Sequence, residues 1–519
     1  MQDRAQSARQ RGRSPVRWVA AAIALATIVA LSGCQTPPMS AADLRLVPYP
    51  KQVQIESGWL PIRSRMKIVV SDIPAARQAA ADLAQDLNVI VGTACDMTTL
   101  PETGGGAGWL LLSSSRIDPD AAQGALGTLP GQAEGYGLLV CGQFAAVGAQ
   151  DAGGLTWGIQ ALRQLVRANV RNRALPRLRI GDWPSLKYRG FQDDLTRGES
   201  STLPMLQSEV RLGSLLKMNF WTYYMENQYA FAKHPDIGPP GGCLLPDGLK
   251  TLVEYAGRYS VQIVGNQQSF GHMEKILELP AYKNLAESPG ALDPTNEATY
   301  QLLDDLYSEV APLTSSPLFN ICCDEVWSLG TGRAKALAER IGVPAVYTQH
   351  MRRVHDLLKD TYGKRMMMWG DIIGQHPESL KDIPKDTVML AWNYDPQPTF
   401  VPLVKPFADA GYDFFVCPGV SCWFRILPVF DGAVGNIQGF VRDGAKCGAL
   451  GMLLTSWDDG AENLFNCNWH GVAWGAECAW NASTTSIDDF DRRIGGVLFG
   501  EPGDHFGQAI KLLGKTHTR

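Results

Sequence analysis

Hydrophobic and polar positions alternate along this chain in two registers. From Leu46 to about Ile180, short apolar runs such as Lys67-Ile-Val-Val, Gly108-Trp-Leu-Leu-Leu and Tyr136-Gly-Leu-Leu-Val are separated by Ala/Leu/Gln-rich stretches at 75–90 and 151–167. Short apolar runs bounded by turn residues read as strands, and apolar residues at i, i+3, i+4 spacing read as helices. The pattern predicts a small α/β domain over 44–182, closed by Gly181-Asp182-Trp183-Pro184. Beyond it the chain repeats strand, loop, amphipathic helix. Strands are predicted near 188–193, 218–225, 260–267, 317–323, 365–369, 387–393, 412–417 and 450–456. Helices are predicted between them, among others over Ser200–Lys217, Asp247–Tyr259, Asn296–Ala311 and Pro344–Tyr362. Eight strands separated by helices over roughly 300 residues is the count of a (β/α)8 TIM barrel. The barrel is assigned to 183–500 and a C-terminal tail to 501–519.

The first residues break this pattern. Arg4, Arg9, Arg11, Arg13 and Arg17 precede an apolar run of 14 residues, Trp18 to Leu31, too short to span a bilayer as a mature helix. Leu31-Ser32-Gly33-Cys34 follows and resembles a bacterial lipobox. Residues 1–33 are therefore expected to be a lipoprotein signal peptide, Cys34 the lipidation site and 34–43 a tether. Gln35, where inner-membrane retention would want Asp, favours the outer membrane. The expectation is an exported, otherwise soluble protein held to the bacterial envelope by a lipid.

Composition adds limits. Charged residues make up 19% and apolar ones 45%, well away from disorder. Lys and Arg number 47 against 52 Asp and Glu, a net charge of −5. Removing the basic leader leaves a more acidic chain, with no basic stripe for nucleic acid. The 11 cysteines show no CxxC pair and no Cys/His zinc spacing. Gly104-Gly105-Gly106 lacks the rest of a dinucleotide fingerprint. No metal and no cofactor is expected.

A barrel places its chemistry at the C-terminal ends of its strands. Here strand one ends in Asp193-Asp194, two in Glu226-Asn227, three in Gln267-Gln268 before Gly271-His272, and four in Asp324-Glu325. Strand five ends in Trp369-Gly370-Asp371, six in Trp392-Asn393-Tyr394-Asp395 and eight in Trp457-Asp458-Asp459. One acidic strand end is a solvated cap. This many, three of them joined to Trp, predict one pocket of carboxylates and indoles, which suits a neutral sugar. Two neighbouring carboxylates on a strand cannot form the opposed acid/base pair of ordinary glycosidases, spaced about 5–9.5 Å across the bond. They fit substrate-assisted hydrolysis, in which the sugar's own 2-acetamido oxygen is the nucleophile.

Asn320-Ile321-Cys322-Cys323-Asp324-Glu325 resembles the His/Asn-x-Gly-x-Asp-Glu motif of glycoside hydrolase family 20, the β-N-acetylhexosaminidases, with Cys322 in place of Gly. Tyr188-Arg189-Gly190 with Asp194 and Arg197, Lys217-Met218-Asn219 through Glu226, Gly271-His272-Met273-Glu274 and Trp457-Asp458-Asp459 resemble other segments of the family in order. Leu46-Val47-Pro48-Tyr49-Pro50 resembles the start of its small non-catalytic domain. The resemblance covers roughly 44–480. It implies a zincin-like N-terminal domain before the barrel and an exo-acting, retaining hydrolase for terminal β-linked GlcNAc or GalNAc.

The resemblance also implies roles. Glu325 would be the general acid/base, Asp324 would orient the acetamido group, and Tyr394 would donate to its oxygen. Arg189 and Asp459 would bind sugar hydroxyls, with a structural ion pair as the rival reading of Arg189. Trp369 and Trp457 would wall the pocket, Asp371 would contact a hydroxyl, and His272 and Glu226 would surround Glu325. A glycan-binding lipoprotein without turnover, and a hydrolase of glycosides lacking the acetamido group, stand as the alternatives.

Overall fold

The computed structural model describes residues 39–101, 107–198 and 200–517. Cys34 and its leader lie outside them. No helix among the described residues is long and apolar enough to cross a membrane.

The N-terminal domain is a seven-stranded sheet: β1 (Gln52–Pro61), β2 (Arg65–Ser71), β3 (Ala94–Leu100), β4 (Gly108–Ser113), β5 (Tyr136–Val140), β6 (Phe144–Ala149) and β7 (Ala174–Asp182). Its order is β1-β7-β5-β6-β4-β2-β3, with β2 and β3 parallel and the other pairs antiparallel. Helices Pro74–Val91 and Ala152–Asn169 pack together beside it. The second is buried almost all round, as a helix covered on both sides must be. One side meets the sheet so closely that a Cβ on Gly158 would lie 2.4 Å from Val147. From the other, Gln160 donates to Ser214 Oγ at 3.0 Å and Gln164 to the Leu215 carbonyl at 2.8 Å, both in the next domain.

That domain is a closed parallel barrel of β8 (Tyr188–Asp194), β9 (Phe220–Tyr224), β10 (Gln262–Asn266), β13 (Leu318–Asn320), β14 (Arg365–Trp369), β15 (Val388–Trp392), β16 (Asp413–Cys417) and β17 (Gly451–Thr455). The hairpin β11 (Ala286–Ser288) and β12 (Ala291–Leu292) interrupts the third loop. All eight predicted barrel strands are present, mostly shorter than the apolar runs. The helices named above also appear, at Leu203–Leu215, Pro246–Gly257, Glu297–Val310 and Val343–Asp356. Residues 501–519, read as a tail, contain helix His505–Gly514, packed on helices Phe430–Lys446 and Ile487–Phe499. Its His505-Phe506 start gave no long periodic signal, but Phe506 meets Phe499 edge-on.

Two apolar layers position the site. Inside the barrel sit Phe220, Tyr224, Cys322, Met367, Trp369, Leu390 and Trp457; outside, a larger layer including Cys323, Met366 and Met368 joins strands to helices. The alternation of Met366, Met367 and Met368 between layers is the period of two expected of a strand buried on both faces.

Candidate active site

The largest departure from the sequence reading is at strand four. β13 stops at Asn320, where the apolar run suggested 323. Asn320 Oδ1 accepts from the Cys322 N–H at 2.9 Å and turns the chain. Cys322 (φ 59°), Cys323 (φ 65°) and Glu325 (φ 52°) are then left-handed, a region that favours glycine. Asp324 and Glu325 no longer alternate across a pleat. Both reach one imidazole: His272 Nε2 lies 3.4 Å from an oxygen of each. The Gly271 turn makes this approach possible, since a Cβ there would sit 2.5 Å from the Asp324 carbonyl.

The three groups set one another's charge. Burial works against a charged His272, but hydrogen bonds to Asp324 and Glu325 outweigh it and push its pKa up to about 10. Burial likewise opposes a charged Asp324; His272 and the Gln268 amide, at 3.1 Å, overcome it and hold its carboxyl below the usual range. The ligand atoms of His272, Asp324 and Glu325 lie within 4.8 Å of one another, near enough to share a metal ion.

Asp371 was expected to touch substrate. It lies behind Glu325, absent from the cavity wall, and accepts the Glu325 backbone N–H at 2.9 Å. Burial and the charge of Asp324 raise its pKa to about 7. It holds the left-handed turn that aims Glu325.

The carboxylates open into a cavity of about 500 Å³ at the C-terminal ends of the strands. Trp369, Trp457, Asp459, His272, Tyr394, Asp324 and Glu325 line it as expected from their strand-end positions. Trp457 Nε1–H donates to the Tyr394 hydroxyl oxygen at 2.8 Å, and the same hydroxyl is hydrogen-bonded to Thr455. Glu226 is behind the wall, receiving Tyr224 O–H at 2.9 Å and Arg197 at 3.2 Å. It reaches His272 through Arg197, whose Nη2 is 3.4 Å from His272 Nδ1.

Arg189 is elsewhere. It is the second residue of β8, at the opposite end of the barrel. Its Nε donates to the Lys217 carbonyl, its Nη1 to those of Leu186 and Lys187, and its Nη2 to Glu134 of the N-terminal domain. The arginine of the cavity is Arg197, just past the end of β8, within 3.6 Å of Asp194, Glu226 and Asp459. Trp392, Asn393, Asp395, Trp423 and Phe424 complete the wall. Three of these were legible as the end of strand six. The Trp423-Phe424 pair follows strand seven, whose end carries no acid to mark it.

Residues 43–183 match the model of glycosyl hydrolase family 20, domain 2, and residues 224–428 that of the glycosyl hydrolase family 20 catalytic domain. Together they take in most of the chain. The chain belongs to glycosyl hydrolase family 20. Among its relatives in the family, beta-hexosaminidase subunit A2 of Dictyostelium discoideum is 23% identical over 281 residues, 50% of this chain and 51% of the relative. The chain spans about half the length of the curated relatives it matches first. A Flavobacterium johnsoniae chitobiase shares the fold with a TM-score of 0.72 at 19% identity, over 92% of this chain and 74% of its own. A Streptomyces plicatus beta-hexosaminidase variant in complex with product GlcNAc has a TM-score of 0.67 at 19% identity, over 93% and 97%. These likenesses extend across both domains of this family 20 chain.

Proposed function

We propose that this family 20 protein is an exo-acting, retaining β-N-acetylhexosaminidase that removes terminal GlcNAc or GalNAc by substrate-assisted catalysis. The observation that carries the reading is the convergence of Asp324 and Glu325 on one imidazole, on the same side of an aromatic pocket. A pair so placed does not face itself across a glycosidic bond, so the nucleophile comes from the substrate.

Glu325, half-exposed at the mouth, protonates the glycosidic oxygen as the acetamido carbonyl oxygen attacks C1 and the C1–O bond breaks. Tyr394 turns its hydroxyl proton to that carbonyl and aligns it. The ring that forms carries positive charge, which the Asp324 carboxylate stabilises while accepting the acetamido N–H. Glu325, now a carboxylate, takes a proton from water as the water attacks C1 and the bond from C1 to the acetamido oxygen breaks, restoring the acetamido group. Two inversions give retention. Once Glu325 has given up its proton, protonated His272 keeps the Glu325 and Asp324 carboxylates from repelling one another. Arg197 and Asp459 hold sugar hydroxyls while Trp369 and Trp457 pack on the ring. The relatives' names and the GlcNAc bound to the Streptomyces enzyme agree with this reading. Cys34 in its lipobox supports a lipid anchor, carrying the enzyme on the bacterial envelope.

The test is release of nitrophenol from nitrophenyl β-GlcNAc, β-GalNAc and β-glucoside by the full chain. Activity on the first two, with none on the glucoside, is expected. Glu325→Gln should cost about 10²–10⁴-fold. Equal rates on glucoside and GlcNAc substrates would overturn the acetamido step, and sugar binding without any hydrolysis would favour the non-catalytic alternative.

A further inference from the structure

Large apolar side chains lie open to solvent on loops that leave the C-terminal ends of three barrel strands. Trp327 is 58% exposed, Phe424 66%, Ile426 60% and Leu464 53%. Single exposed apolar residues are ordinary on any protein surface. These four share the loops at one end of the barrel. Trp327 follows Glu325 by two residues on the loop after β13. Phe424 and Ile426 lie on the loop after β16, and Leu464 on the loop after β17.

β13 and β16 stand three places apart around the eight-stranded ring, so their loops flank the mouth from nearly opposite sides. Phe424 belongs to the cavity wall itself. Its ring lies over Gly460, where a Cβ would come within 2.8 Å, so the glycine lets the aromatic settle on the eighth loop.

From this arrangement we infer that the leaving-group side of the pocket is built for an apolar aglycone, such as an alkyl or acyl chain, rather than for a second sugar. The inference rests on the hydrolase reading above. In that reading the terminal sugar lies against Trp369 and Trp457, and the glycosidic oxygen lies at Glu325. The group that departs then occupies the space just outside Glu325, between Trp327 and the Phe424–Ile426 loop. A sugar there stacks on the indole but sets hydroxyls against the Phe424 and Ile426 side chains, which cannot hydrogen-bond them. An alkyl chain loses nothing and removes apolar surface from water on both sides, about fourfold in affinity for each methylene fully buried.

Hexyl β-GlcNAc, methyl β-GlcNAc and N,N′-diacetylchitobiose all release an aliphatic alcohol, so they differ mainly in what fills this space. The wild-type kcat/KM on the hexyl glycoside should exceed that on the methyl glycoside by on the order of 30-fold, and should exceed that on chitobiose. In W327S/F424S the hexyl-to-methyl ratio should fall to within about threefold of unity. A wild-type ratio near one, a ratio that survives both substitutions, or chitobiose cleaved as fast as the hexyl glycoside overturns the inference and leaves the hydrolase reading standing. No cleavage of any of these or of the nitrophenyl glycoside removes both.

Discussion

Two arginines eight residues apart, Arg189 and Arg197, share almost the same chemistry and do opposite things. Each guanidinium lies over two aromatic faces: Arg189 at 5.7 Å from Trp157 and 5.0 Å from Trp480, Arg197 at 4.7 Å from Tyr224 and 5.0 Å from Trp457. Each pairs with carboxylate. The difference is the end of β8 they occupy. Arg189, at the start, spends its donors on three carbonyls and Glu134, with its side chain 1% exposed. Beside it Lys217, itself left-handed at φ 62°, bonds Asp182 Oδ2 at 3.0 Å and Tyr136 Oη at 2.8 Å, while Trp480 Nε1 donates to Asp182 Oδ1 at 2.9 Å. This end is a buried clamp between domains. Arg197, past the end of the strand, holds three carboxylates at 3.2–3.6 Å and faces a cavity. Donors loosely engaged at a barrel mouth are free to be taken up by a ligand; donors saturated at the floor are not.

The clamp should give the largest effect on folding. Glu134→Ala or Asp182→Asn leaves a buried cation short of its partner, a loss of about 3–5 kcal/mol. Urea unfolding should show that loss while activity per folded molecule stays within about twofold. A fall in kcat at constant stability would bring Arg189 back into the site. The complementary variant is Arg197→Met. With two charge-assisted contacts to substrate removed, at roughly 1.5–3 kcal/mol each, kcat/KM should drop about 10²–10⁴-fold. The urea midpoint should fall as well, because the buried Asp194 and Glu226 carboxylates lose their cation, so the loss of turnover is what separates this variant from the clamp variants. A large loss of stability with unchanged turnover would erase the distinction between the two ends.

The contrast also marks how far the sequence could be read. The strand count was legible because a strand buried on both faces is a plain apolar run, and the carboxylate-rich mouth because acids cluster where those runs end. The Arg189 assignment failed for a physical reason. Tyr188-Arg189-Gly190 opens an apolar run, and nothing in residue type says that its side chain turns back under the barrel to a glutamate 55 positions earlier. Arg197 was in view, but it lies beyond the strand in a loop, where spacing carries no orientation. The kink after Asn320 was hidden too, since Ile321-Cys322-Cys323 continues the apolar pattern while the backbone leaves the sheet. Asp371 stood in the right place along its strand and faced the Glu325 backbone instead of the cavity.

Asp371 and His272 predict a pH dependence of stability. Asp371, raised to about 7, keeps its proton in the folded state after the unfolded chain has lost it, so its contribution to stability falls as pH rises from about 4 to 7. His272, raised to about 10, contributes fully below its unfolded value near 6.5 and loses that contribution as pH climbs toward 10. Urea midpoints should therefore decline through two adjoining windows. Asp371→Asn should flatten the lower and His272→Gln the upper. Slopes unchanged by either substitution would mean that the two groups titrate alike folded and unfolded.

The smallest effect concerns Cys322, where the family motif has Gly. Its φ of 59° costs an L-residue about 1–2 kcal/mol, and Gly would recover that. Against this, Gly gives up a side chain buried inside the barrel, with Sγ 3.5 Å from Asn266 Oδ1, and adds about 0.5–1 kcal/mol of chain entropy to the unfolded state. The opposing terms are of similar size, so Cys322→Gly should shift stability by less than about 1 kcal/mol. Cys322→Ala separates them, because it loses the sulfur and keeps the strain. Alanine should then be less stable than glycine here by about 1 kcal/mol, the reverse of their usual order. Urea midpoints of the three proteins decide it. Alanine above glycine would mean that the turn after Asn320 stores no strain, and that the left-handed run aiming Glu325 is held up by its surroundings at no cost to the residue that begins it.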